Sequence, residues 1–215
     1  LAATPPDSGQ LVLMTAAVDP APRLLADGGT KLPIPPNVWF IGTANHDETT
    51  KDFADKTYDR AHVMELPRNR ETFKRKDYPS ENPLSLEALQ AAFSAAVHTY
   101  EGDAAKAYEF LQNELGETLG RHFQVGWGNR LERQMGFYVP VVVAAGGTVG
   151  EATDHILATK LLRKIRDRHD NRPEDIIALR ERIQTGWGLL DGKHEPRRSL
   201  NLLQQELHRL GHDDI

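Results

Sequence analysis

Apolar positions along this chain change rhythm between its first third and the remainder. Up to Pro67 they fall in short runs broken by turn residues. "QLVLMTA" at 10 to 16 predicts a strand, and the proline- and glycine-rich stretch after it admits neither a helix nor a central strand. Within that stretch "TKLPI" fits the second arm of a hairpin. "NVWFIGTA" from Asn37 is the strongest strand signal, β-branched and aromatic without polar alternation. Such runs are typical of strands covered on both faces. "HVMELP" from His62 predicts a weaker strand, and Thr49 to Tyr58 a short helix capped by Thr49 or Thr50.

Beyond Pro67 comes a charged segment with Pro79 and Pro83, and then the spacing turns helical. Ser85 is placed to cap a helix whose Leu86, Leu89, Phe93 and Val97 share one face. A second helix is expected over "DAAKAYEFLQNELGETL". A third covers "NRLERQMGFYVPVVVAA", kinked near Pro140 and stopped by Gly146-Gly147, although its valine run also fits a strand. A fourth, "ATDHILATKLLRKIRDRH", buries Ile156, Leu157, Leu161, Leu162 and Ile165. Thr148 or Thr153 caps it. A fifth opens with Pro173 at its first turn, and "SLNLLQQELHRLG" is the last. The domains expected are 1–79, strand-rich, and 80–215, helical. That is the outline of the back half of an α/β domain followed by a mostly α helical bundle.

Composition narrows the function classes. The 215 residues carry a net charge of −5 and no cysteine. There is no global attraction to nucleic acid or anionic membranes, and no thiol nucleophile, disulfide framework or cysteine zinc site. The absence of cysteine fits a reducing cytoplasm. The longest apolar stretch, "FYVPVVVAA", is half of a membrane span. The opening "LAATPPDSGQ" reads like a linker, so the chain is expected to be a piece of a longer one.

Two polar residues frame the strongest strand signal. Asn45 follows the apolar run, where open parallel sheets bind ligands. Its amide both donates and accepts, which suits holding a water against a phosphate. The plainer alternative is a turn residue. Arg60, in "YDRA", is suited to neutralising a transferred phosphoryl group; the plainer alternative is a surface pair with Asp59 or Asp55.

Together these residues carry a resemblance. "IPPNVWFIGTANHDETTKDFADKTYDRAHVMEL" resembles the sensor-1 region of AAA+ NTPases, in the branch of the modification-dependent restriction NTPases (McrB-type). There a strand ends in Gly-Thr-x-Asn, a threonine- and acid-rich segment and a short helix follow, and Asp-Arg-Ala precedes the next strand. The resemblance spans about thirty residues and implies several things. Asn45 would be sensor 1, positioning the attacking water. Arg60 would be the arginine finger, reaching a neighbouring subunit's nucleotide. The proline-rich hairpin would be a pre-sensor-1 insertion. "GWGNRLERQM" resembles the start of a lid helix, where Arg130, with Arg133 as fallback, would be sensor 2. The implied fold is the back half of an AAA+ core followed by a helical lid. The implied cofactor is ATP or GTP with Mg²⁺. The implied partners are further copies in a ring, a hexamer, with a nuclease subunit and DNA, and no membrane.

The chain departs from the family pattern. It contains no G-x-x-x-x-G-K-[ST] and no apolar run ending in Asp-Glu. The phosphate cradle, Mg²⁺ ligand and water-activating glutamate are therefore expected upstream, and this chain alone is expected to be inactive. Two alternatives stay open: a non-enzymatic helical interaction module, and a degenerate AAA+ subunit that only lends Arg60 in trans. His208 and His212 lie one helical turn apart, but without further ligands they predict no metal. The charges around Lys160, Arg163, Lys164, Arg166 and Arg168 fit the wet face of a helix.

Overall fold

The computed structural model describes residues 10–12, 31–35, 38–43, 55–64, 84–190 and 194–212. The chain divides into two compact units, Leu1–His62 and Val63–Ile215. The boundary expected at 79/80 lies in a stretch outside the described residues. The described residues are predominantly helical.

In the first unit, β1 (Gln10–Val12) pairs antiparallel with β2 (Lys31–Pro33), Leu11 opposite Leu32. This is the pairing that the "TKLPI" segment predicts. α1 (Asp55–Arg60) follows. The segment expected to be the strongest strand is different. Val38 to Thr43 has no strand pairing, and Val38, Trp39, Phe40 and Ile41 are 45%, 55%, 75% and 89% exposed. A strand exists only with a neighbour to receive its backbone N–H and C=O groups. Among the described residues no strand stands beside this one. His62 to Met64, expected to open a second strand, are likewise unpaired, and Met64 is 70% exposed.

The second unit is a bundle. α2 (Leu86–Thr99) is capped as predicted, Ser85 Oγ accepting from the Ala88 N–H at 3.1 Å. α3 (Glu101–Phe110) and α4 (Gly116–Phe123) are joined by a π-helical turn, Leu111–Leu115, inside what the spacing predicts as one helix. α5 (Asn129–Ala144) runs through Pro140, whose missing N–H leaves the Gly136 carbonyl without its usual donor. Gly146, at φ 93°, turns the chain in the left-handed region. A Cβ on Gly147 would stand 2.7 Å from Val142 Cγ1, so the stop after α5 needs both glycines.

α6 (Val149–Ile156) starts with a capping box between Thr148 and Glu151. Thr153, the other cap candidate, is buried inside the helix and donates to the Val149 carbonyl at 2.7 Å. α6 continues into a π-helical turn, Leu157–Leu161, and a 3₁₀ turn, Leu162–Lys164. α7 (Pro173–Gly186) begins on its proline, and α8 (Arg197–Arg209) ends the bundle.

α5 packs on α2, α3 and α6, and α6 also meets α3 and α8. α6 is therefore the central element, and Ile156, Leu157, Leu161, Leu162 and Ile165 are all buried as their stripe predicts. Phe110 and Trp187 meet edge to face, ring centroids 5.3 Å apart.

Candidate functional site

Asn45 lies outside the described residues. Arg60 ends α1 in the first unit, with its side chain exposed. The expected helix reached only to Tyr58, so Arg60 belongs to the last helical turn rather than to the segment after it. Its neighbour Tyr58 is buried at 6% exposure, which anchors the helix that carries Arg60.

Arg130 and Arg133 lie in the second unit, three residues apart near the start of α5. That start is fixed by a tight connection from α4. Gln124 takes a left-handed conformation at φ 54° and closes α4. The Val125 N–H then returns to the Leu119 carbonyl at 3.0 Å, and the Val125 side chain is buried. Trp127 packs over Gly116, where a Cβ would lie 3.8 Å from its ring. The connection is thus pinned at two side chains before Gly128 opens the helix without a side-chain cap. In this first turn the Leu131 N–H donates to the Gly128 carbonyl at 2.9 Å, and the Asn129 and Arg130 N–H groups before it precede any i−4 carbonyl of the helix. Arg130 is exposed beside them and has no ion-pair partner among the described residues. A start without a side-chain cap, the positive end of a sixteen-residue helix and a guanidinium together favour an anion at this end of α5.

Two buried carboxylates form the most connected polar groups of the bundle, and the spacing of the sequence singled out neither. Asp154 of α6 is 1% exposed. Its Oδ1 accepts from the Ser199 N–H at 2.9 Å and from Ser199 Oγ at 2.6 Å. Its Oδ2 accepts from the Arg198 N–H at 3.0 Å and lies 3.4 Å from His194 Nε2. Asp154 therefore caps α8 from another helix, in the place that a residue just before Arg197 would fill locally. Pro196, which stands there, has no side chain that accepts.

Glu206 of α8 is 2% exposed. It accepts from Asn171 Nδ2 at 2.6 Å, from the Asp167 N–H at 3.2 Å, and from Arg209 Nε and Nη2 at 3.1 and 2.5 Å. Asp167 sits at φ 59°, a left-handed turn that aims its N–H at Glu206. Burial alone would push the Glu206 carboxyl up. The hydrogen bonds from Arg209, Asn171 and Asp167 outweigh it and hold the group below its ordinary value. One signal for Glu206 was present: with Leu203, Leu207 and Leu210 it shares a helix face, where a solvated acid does not belong.

No group of three His, Asp or Glu residues able to hold a metal occurs among the described residues. His208 lies in the last turn of α8 and His212 beyond the turn at Gly211. No described helix is long and apolar enough to cross a membrane. No family model, no curated protein and no solved structure matches the chain.

Proposed function

We propose that this chain is the C-terminal portion of an AAA+ NTPase. The intact protein would couple ATP or GTP hydrolysis at subunit interfaces to remodelling or movement of a substrate, DNA in a restriction or defence system. The observation that carries the reading is the order of residues 37 to 66: an apolar run, Gly-Thr-x-Asn, a threonine and acid segment, and Asp-Arg-Ala. The exposed Arg60 at the end of a helix is compatible with it. So is the exposed Arg130 in the first turn of α5, within a mostly helical unit.

In this reading Asn45 orients the attacking water through its amide. Arg60 crosses to the nucleotide of the next subunit in a ring and neutralises charge on the transferred group. Arg130, with Arg133 as second choice, contacts in cis the γ-phosphate of its own subunit's nucleotide, so that hydrolysis tilts the helical lid. The 215 residues hold no phosphate-cradling loop, and the described ones no metal-binding group. They do not fit a Mg²⁺–nucleotide cradle of their own, which in this reading is upstream.

The test is steady-state hydrolysis of ATP and GTP by the intact parent, wild type against Arg60→Ala and Asn45→Ala. The reading expects Arg60→Ala to lose roughly 10³-fold or more, and Asn45→Ala to lose activity as well. An unchanged rate in both variants, or a parent that hydrolyses neither nucleotide, contradicts it. In that case the helical interaction module becomes the better account. It is favoured by one observation: the apolar core of the second unit closes within residues 104–207.

A further inference from the structure

α8 is held to the bundle by polar contacts at both of its ends. Its buried residues are Ser199, Leu203, Glu206 and Leu207, so half of what it hides is polar. Both polar residues belong to contacts that leave the helix, one at each end. At the first end Asp154 of α6 takes up the Arg198 and Ser199 N–H groups and the Ser199 hydroxyl. At the other, Glu206 takes up Asn171 and the Asp167 N–H, while Arg209 Nη2 reaches back to the Arg168 carbonyl at 2.7 Å. Leu203 and Leu207 are wholly buried, and Leu200, Leu202 and Leu210 are partly buried against the core.

We propose that α8 is a strap fastened at two points, which undocks from the bundle as one unit while α3, α5 and α6 stay folded. Apolar burial is non-directional and weakens gradually as surfaces separate. A carboxylate with several fixed donors is directional and fails once its geometry is lost, leaving buried donors without acceptors. A helix fastened at two such points therefore has a docked state and an undocked state with little between. The two points share the rigid rod of α8, so release at one end strains the other. Undocking brings out Leu203 and Leu207 on a single face, an apolar stripe hidden in the docked form.

The test is hydrogen exchange of the protein, read amide by amide at neutral pH. The variants are Asp154→Asn and Glu206→Gln, each close in shape to the native residue but with an NH₂ where an acceptor is needed. Each variant is expected to speed exchange across the whole of α8, from its second turn to Arg209, by roughly 10- to 100-fold. Amides of α3 and α5 keep their wild-type rates. Deprotection confined to the mutated end overturns the proposal, because the two points would then act separately. Equal loss of protection in α3, α5 and α8 overturns it too. Should either variant not fold, the wild type in rising denaturant decides. The α8 amides must converge on one opening below global unfolding, and convergence only with the global transition refutes the strap.

Discussion

α2 and α8 are of similar length and are the first and last helices of the described bundle, yet they are docked by opposite means. α2 is rich in alanine, leucine, phenylalanine and valine, but Ala96 is its one buried residue. Its predicted face of Leu86, Leu89, Phe93 and Val97 is half-buried, against α5. α8 is one of the most polar helices, yet it buries four residues and touches α6 and α7. How deeply a helix sits depends on which neighbours approach it, and only partly on its own apolar content. Where a neighbour supplies a matching acceptor or donor, a polar helix is held firmly.

The sharpest way to break the comparison is to truncate one apolar side chain in each helix. Leu207→Ala removes a wholly buried side chain from α8 and is expected to cost about 2–5 kcal/mol in equilibrium unfolding. Phe93→Ala removes a larger group from α2, yet one that is only partly buried, so about 1–2 kcal/mol is expected. If the larger truncation proves the costlier, burial is not what separates the two helices.

Acid sharpens the same contrast with a smaller effect. The Glu206 carboxyl is held below its ordinary value of 4.5. A group depressed in the folded state contributes stability that is fully present above its unfolded pKa and is lost as pH falls through the folded one. Between pH 7 and 5 the exchange of α8 amides, corrected for intrinsic rate, is expected to stay level. Below about 4.5 it should rise, earlier than in α3. In Glu206→Gln the part of that rise due to Glu206 should vanish.

Local signals in the sequence were readable where the physics is local. The Ser85 cap, the Pro173 start, the Gly146-Gly147 stop and the stripe from Ile156 to Ile165 each depend on residues within a turn or two. The β1–β2 pairing was legible because turn residues separate two short runs. The fate of Val38 to Ile41 was not, because a strand is a relation between segments, and apolar content does not supply the neighbour. The Asp154 and Glu206 contacts were illegible for the same reason. Their partners lie up to 45 positions away, and no spacing rule joins Asp154 to Ser199. The π-helical turns at Leu111–Leu115 and Leu157–Leu161 have no signature in the apolar rhythm. For the candidate site, the sequence supplied only the proposed roles of Arg60 and Arg130, and their exposure came from the fold.

The central claim is that Asn45 and Arg60 serve the same reaction from opposite sides of a subunit boundary. Mixing equal amounts of the intact parent carrying Asn45→Ala and Arg60→Ala, each inactive alone, tests it most directly. The account predicts partial recovery of NTP hydrolysis, because some interfaces would pair a wild-type Asn45 with a wild-type Arg60. A mixture as inactive as its components, from subunits shown to co-assemble, would contradict it.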